Sequence, residues 1–204
     1  MKVVIFCGGA GTRLREETEF RPKPLVEVGG RPILWHIMKL YGHHGFREFV
    51  LCLGYRGHMI KDYFLNYEAM NRDFTICLGS AAPPVFYGEH EEQNFEVTLA
   101  DTGAETLTGG RLKRVAHHLS GEKRFMVTYG DGVSDVDIPA LLEFHRSHGK
   151  LATVTTFRPT SRFGILSVDE ERRVRSFREK PRADAWASAG FFVFEREVLD
   201  YLEE

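Results

Sequence analysis

The residues of this chain that could do chemistry gather at four points. An apolar, β-branched run, Val3-Val4-Ile5-Phe6-Cys7, breaks into Gly8-Gly9-Ala10-Gly11-Thr12-Arg13, and Pro22-Lys23-Pro24 follows shortly after. Glycines at the carboxyl end of a buried strand let main-chain N–H groups turn towards an anion with no side chains in the way. Arg13 adds a planar cation suited to phosphate and Lys23 a compact one. Together they point to a nucleoside phosphate. A second apolar run, Phe125 to Tyr129, ends in Gly130-Asp131-Gly132, where an open α/β sheet presents side chains to its ligand crevice. A lone carboxylate there suits Mg²⁺, which keeps several waters and shares its other positions with substrate phosphates; Asp-Gly is equally a common turn. At the third point, Glu179-Lys180-Pro181, a cation beside a carboxylate could bind both the phosphate and the hydroxyls of a phosphosugar, or form an exposed turn. The fourth is Arg111, with Lys113 and Arg114, behind Gly109-Gly110 at a helix start: an anion contact or a solvated helix face.

Other chemistries lack their residues. No Gly-Lys-Ser/Thr follows the glycines, so they are not a Walker loop, and the polar 15–21 segment and the Pro22 turn stand where a dinucleotide fingerprint needs a helix. Ser134, Ser161 and Ser188 lack a nucleophile-elbow context. His145 and His148 share a helical face without a third ligand, while His43-His44 and His117-His118 are adjacent pairs, so the histidines read as surface or helix-end residues. Cys7, Cys52 and Cys77 sit in or beside apolar runs without CxxC spacing and read as buried free thiols of a reducing compartment. The 204 residues carry a formal charge of −2, so no global basic field draws the chain to nucleic acid or anionic lipid. No apolar stretch approaches a membrane span, the amino terminus is a strand, and the cytoplasm is the expected location.

The elements that must position these groups read as one α/β domain over 1–204. After Gly29-Gly30-Arg31-Pro32, the spacing of Ile33, Leu34, Ile37, Met38, Leu40 and Tyr41 predicts an amphipathic helix stopped at Gly42 or Gly45. Phe49 to Leu53 reads as the second strand, 58–70 as a helix and Phe74 to Leu78 as the third strand. Gly79 to Asn94 reads as a long loop, either a lid or oligomer contact or a solvated surface. Val97 to Asp101 is the next strand, and Thr108 opens a helix that turns Leu112, Val115 and Leu119 inwards. Asp137 is placed to cap a helix ending at Gly149. From Ala152 the pattern is strand-rich: Ala152 to Phe157, Phe163 to Val168, Val174 to Arg178 and Gly190 to Phe194. The fold class is α/β, a doubly wound, mostly parallel sheet with a less regular carboxyl-terminal half.

Read as an ordered series, GGAGTRL, PKP, VGGRPILWHIMKLY, LGYRG, VTLADTG, TGGRLKRV, TYGDGVSD, RFGIL, REKP and GFFVF resemble the sugar-phosphate nucleotidylyltransferases, and within them the glucose-1-phosphate cytidylyltransferases. The resemblance implies a Rossmann-like domain of the nucleotide-diphospho-sugar transferase type that joins CTP to α-D-glucose 1-phosphate, giving CDP-glucose and pyrophosphate, in a protein that forms homo-oligomers. It implies nucleotide contacts at Phe6, Cys7, Gly8, Gly9, Ala10, Gly11, Thr12, Arg13, Lys23, Thr106, Arg111 and Gly130, and Mg²⁺ on Asp131. Arg13, Lys23 and Asp131 would be catalytic, and sugar phosphate would be held by Glu179, Lys180, Ser188 and Gly190. Two departures stand out. Ser188-Ala189-Gly190 replaces the family's Asn-Gly-Gly, whose Asn contributes to the sugar pocket. The family's second Mg²⁺-binding Asp and its closing helices lie beyond Glu204, so the chain is expected either to be a fragment or to belong to a shortened relative whose metal site is completed differently or not at all. Alternatives are a relative using another nucleoside triphosphate or sugar 1-phosphate, and a catalytically weak nucleotide-binding or regulatory homologue.

Overall fold

A computed structural model describes residues 1–9, 20–90, 92 and 94–203. The β-branched run at the amino terminus forms β1 (Val3–Phe6), and a tight pair, β2 (Glu27–Val28) and β3 (Arg31–Pro32), leads into α1 (Ile33–His43). β4 (Glu48–Leu53), α2 (Gly57–Leu65) and α3 (Tyr67–Asn71) follow, then a short antiparallel pair, β5 (Asp73–Thr75) and β6 (Val85–Tyr87). β7 (Glu96–Asp101), α4 (Thr108–Arg114), β8 (Arg124–Tyr129), α5 (Ile138–His148) and β9 (Ala152–Phe157) continue the alternation. The chain closes with an antiparallel ribbon, β10 (Ile165–Val168) and β11 (Val174–Arg178), and a long strand, β12 (Ala187–Glu195).

Six strands make the central sheet in the order β7-β4-β1-β8-β12-β9. β7, β4, β1 and β8 pair in parallel, and β12 runs antiparallel to both β8 and β9. The chain leaves β1 towards β4 and β7 on one side, then returns with β8 on the other. That reversal leaves a crevice at the carboxyl ends of β1 and β8, the place where open α/β sheets bind ligands.

Both faces of the sheet are covered, which is why its strands read as continuous apolar runs rather than alternating ones. Val3 and Ile5 point to a core shared with Leu34, Ile37, Met38 and Tyr41 of α1, Ile60 of α2 and Leu141 and Leu142 of α5. Val4, Val50, Phe125 and Val127 point to the opposite core, closed by Leu112, Val115, Leu119 and Leu199. The four α1 positions are spaced i, i+3, i+4 and i+7, one face of a helix, and each buried side chain of this size contributes about 1.5–3 kcal/mol. As expected, α5 is capped by Asp137, whose Oδ1 accepts from the Ala140 N–H at 2.9 Å, and stops at Gly149 in the left-handed region, φ 62°.

Several local expectations change. The segment near Phe74 is not the third strand of the sheet; that place belongs to β7, while Asp73–Thr75 pairs outside the sheet with Val85–Tyr87. The 79–94 stretch is therefore no continuous loop, because β6 lies within it. Cys77, beyond β5, is exposed, whereas Cys7 and Cys52 are buried; all three are free thiols. His145 is not a surface residue: it is 1% exposed, held between β9 and β12. No helix among the described residues is long and apolar enough to cross a membrane.

Candidate functional site

A cleft of about 390 Å³ opens at the carboxyl ends of β1 and β8. Its floor is the end of β1, Phe6 and Cys7, with Gly8 and Gly9. One wall is the segment between β7 and α4, Ala104 to Thr108, with Arg111; the other is Lys23, Pro24, Tyr129 and Asp131. Ala10, Gly11, Thr12 and Arg13, four residues of the expected phosphate loop, lie outside the described residues.

Lys23 and Asp131 are brought together by packing at their two ends. The Leu25 N–H donates to the Pro22 carbonyl at 2.8 Å and the Val26 N–H to the Lys23 carbonyl at 3.1 Å, so the prolines set a tight turn with Pro24 buried inside. Pro24 lies over Gly130: a Cβ there would stand 3.1 Å from Pro24 Cγ and 2.8 Å from the Phe6 carbonyl oxygen. The Gly130 N–H extends the β1–β8 ladder by donating to that same oxygen at 2.9 Å. Gly130 thus touches the wall rather than lining it, and delivers Asp131 to the cleft, where its carboxylate pairs with the Lys23 ammonium. The Asp131 side chain stays 39% exposed and Lys23 21%, so water and ligand reach both.

Arg111 is 4% exposed, which removes the solvated-face reading. Its Nη1 donates to the Leu53 carbonyl (3.0 Å), Thr102 Oγ1 (2.7 Å) and the Gly103 carbonyl (2.8 Å). Its Nη2 donates to the carbonyls of Gly8 and Ala104, both at 3.0 Å. Burial lowers its pKa, and this ring of oxygen acceptors offsets the cost of holding a cation there. Thr106, also at the cleft, accepts from Arg114 Nη1 at 2.9 Å. Burial, reinforced by neighbouring Cys52, raises the Cys7 thiol well above its ordinary value, and Cys52 is pushed up to about 12. Burial thus holds both thiols in the protonated form, which is not the form that acts as a nucleophile.

The expected sugar-phosphate residues lie apart from this lining. Glu179 and Lys180 are exposed beyond the end of β11, Lys180 with φ 42°. Ser188 is exposed on β12 and its Oγ accepts from the Gly190 N–H at 3.2 Å. Gly190 alone has a link to the cleft: its φ is +83°, and a Cβ there would be 2.5 Å from the Tyr129 ring. Tyr129, which sequence reading passed over, lines the cleft with its ring against Phe6 (6.0 Å between centroids) and edge-on to Phe192. Its place as the last residue of a strand next to Gly130-Asp131 was the available signal. Glu105, the cleft's second carboxylate, stands in a polar loop and had none.

Among the described residues no group of three or more His, Cys, Asp or Glu is arranged to hold a metal. The donor set at Asp131, one accessible carboxylate facing a cleft floored by glycines, fits a divalent cation that keeps its waters and completes its sphere with phosphate oxygens.

A family model described as nucleotidyl transferase matches residues 2–204. A glucose-1-phosphate cytidylyltransferase of Salmonella typhi is 50% identical over the whole chain, which spans 78% of that protein. A Bacillus subtilis relative is 43% identical over 99% of the chain and 78% of its own length. Among solved structures, HddC from Yersinia pseudotuberculosis, complexed with GMP-PN, superposes with a TM-score of 0.64 at 21% identity, covering 100% of this chain and 80% of the other. A UDP-glucose pyrophosphorylase complexed with UDP-glucose gives 0.62 at 17% identity, covering 98% and 77%. These two likenesses show the fold.

Proposed function

The chain belongs to the nucleotidyl transferase family, and from that premise we propose that it transfers a cytidylyl group from CTP to α-D-glucose 1-phosphate, giving CDP-glucose and pyrophosphate. The observation that carries the chemistry is the Lys23–Asp131 pair in a cleft floored by Gly8 and Gly9 at the reversal point of the sheet. The choice of CTP and glucose 1-phosphate is supported by the 50% identity, over the whole chain, with the Salmonella typhi glucose-1-phosphate cytidylyltransferase.

In this reading a phosphate oxygen of the sugar attacks the α-phosphorus in line; the new O–P bond forms as the bond to pyrophosphate breaks. The protein positions the reactants and offsets charge, with no covalent intermediate. The main-chain edge at Gly8 and Gly9 and the wall from Ala104 to Thr108 receive the nucleotide. Lys23 and Arg13 offset the charge that builds on the α-phosphoryl and the leaving pyrophosphate. Asp131 would hold Mg²⁺, which supplies charge neutralisation across the phosphates when bound. Glu179 and Lys180 would bring the sugar phosphate to the cleft, and self-association is expected with it.

A second reading, transfer to another sugar 1-phosphate, is favoured by Ser188, which replaces an Asn in the family's sugar pocket. Incubation with Mg²⁺, each of CTP, UTP, GTP, ATP and dTTP, and a panel of sugar 1-phosphates, following pyrophosphate, separates the two. CTP with glucose 1-phosphate should be turned over fastest. Nucleotide binding without turnover of any pair would sink the enzyme reading.

A further inference from the structure

We propose that a second cavity, on the α1 face of the sheet beside β7, is a binding site for a small organic cation: an arylalkylamine whose ring lies among Phe64, Tyr67 and Phe95 and whose ammonium pairs with Glu68. The inference goes beyond nucleotidyl transfer and does not rest on it.

The cavity holds about 320 Å³, a volume that suits a small molecule, and shares no lining residue with the reaction cleft. Its floor is buried Met38 of α1 with Val97 and Leu99 of β7. Phe64 and Tyr67, nearly parallel at 18° with centroids 6.3 Å apart, and Phe95 supply its rings. Trp35 closes one side, but Arg31 and Lys39 stand over its ring at 5.5 and 5.4 Å, so that ring already serves two cations. Among the described residues the lining carries two carboxylates, Glu68 and Glu92, and no lysine or arginine. A phosphate here would meet carboxylates without a cation of the lining to offset them, which sets the cavity against nucleotides, sugar phosphates and pyrophosphate.

The two carboxylates are used differently. The Glu92 side chain is only 10% exposed and ties the walls together: its Oε1 accepts from Trp35 Nε1 at 3.1 Å and pairs with Lys39 Nζ at 3.3 Å. The Glu68 side chain is 45% exposed, within reach of an arriving ligand. His90 Nδ1 accepts from the Glu92 N–H at 3.2 Å, so in the neutral ring the proton is on Nε2, which donates to Glu68 Oε1 at 2.8 Å. Arg72 Nη1 donates to Glu68 Oε2, also at 2.8 Å. The bonds from His90 and Arg72 hold Glu68 below the ordinary carboxylate range. They also fix its direction, and each oxygen has a second lone pair for a further donor. An ammonium supplies that donor and the opposite charge, and the neighbouring Tyr67 ring adds a cation–π attraction.

Phenethylamine is the probe, and phenylpropanoate, with the same ring and the opposite charge, is its control. Of the five methionines Met38 alone lines the cavity, so methyl-labelled methionine gives a local reading by NMR. Phenethylamine at millimolar concentration should shift the Met38 methyl saturably, and phenylpropanoate should not. Glu68→Gln keeps the size of a partly exposed side chain and removes its charge; it should weaken phenethylamine about 10-fold, the worth of one charge-assisted hydrogen bond. Val97→Phe fills the floor and should abolish the shift, and Glu68→Gln keeps the test open should that variant not fold. No saturable shift at Met38, equal binding of phenylpropanoate, or undiminished binding by Glu68→Gln would overturn the proposal. A Met38 shift with inorganic pyrophosphate in place of phenethylamine would make the cavity an anion site and overturn it too. Pyrophosphate release by the wild type is a separate measurement, so its absence would sink the functional reading and leave the binding result standing.

Discussion

Lys23 and Asp131, 108 residues apart in the chain, form an ion pair on one wall of the cleft. Each compensates the other's charge in a place that the proposed reaction fills with phosphate oxygens. The pair is partly exposed, so its contribution to folding is about 0–1 kcal/mol. Its contribution to turnover is of another order, since removing one preorganised charge from a phosphoryl-transfer site costs about 100-fold or more. Lys23→Ala and Asp131→Ala are therefore expected to melt close to the wild type and to lose most of their pyrophosphate release. Wild-type rates in both variants would place the chemistry elsewhere.

Gly190 and Tyr129 form a second linked pair. Gly190→Ala must place a Cβ 2.5 Å from the ring that lines the cleft, at a φ of +83° that L-residues rarely adopt. The strain alone is expected to cost about 1–3 kcal/mol. Tyr129→Ala should relieve the collision but not the backbone strain, so in urea melts the double variant should recover only part of the loss. Full recovery would mean that the φ carries no cost, and an additive loss would mean that the ring and the glycine are independent.

What was legible in the sequence was whatever local composition decides. The glycines after β1, the cation between two prolines and the Asp between two glycines each announce themselves within a few residues, and the sheet then brings them to one reversal point. The burial of Arg111 was not legible, because four of its five acceptors are main-chain carbonyls, which leave no mark on residue type. Val85–Tyr87 was hidden inside the 79–94 loop because three residues are too few to show a period, and the run at Phe74 reads as part of the central sheet because a short apolar strand looks the same whether it joins that sheet or pairs with its neighbour. The burial of His145 depends on β9 and β12 arriving from later in the chain. Glu179 and Lys180 sit beyond a ribbon separate from the central sheet, and no local pattern says how near to the cleft such a ribbon lies.

Ser188 gives a prediction about sugar preference. The family resembled here carries Asn at this position, and a serine has a shorter reach and one polar atom in place of two. Ser188→Asn is expected to raise kcat/KM for glucose 1-phosphate by up to about 10-fold, the worth of one added hydrogen bond, with KM for CTP unchanged. Steady-state kinetics with several sugar 1-phosphates tests it. No change with any sugar would remove position 188 from the sugar site.

His145 makes stability depend on pH at the end of the sheet remote from the cleft. Its Nδ1 lies 2.8 Å from Thr153 Oγ1 and its Nε2 3.3 Å from Glu195 Oε1, which also accepts from Arg124 Nε at 3.0 Å. His148 Nε2 shares the Thr153 hydroxyl at 2.7 Å. Burial lowers the His145 pKa below its ordinary 6.5, outweighing the pull of Glu195 in the other direction, and nearby Arg124 and His148 lower it further. Glu195 is itself lowered: burial raises it, but the bonds and charges of Arg124 and His145 outweigh that. For His145 the unfolded chain binds the proton first as pH falls. Its contribution is therefore fully present above about 6.5 and is lost as pH drops from there towards the folded value, at no more than about 1.4 kcal/mol per pH unit. Glu195 has the same sign at lower pH: its contribution holds above the ordinary carboxylate range and is lost as pH falls through its lowered folded value. Melting temperature should fall measurably between pH 7 and pH 5.5. His145→Gln, which has no proton to take up, should be less stable at pH 7 yet lose less on acidification, and an equal loss in both proteins would assign the acid sensitivity to another group.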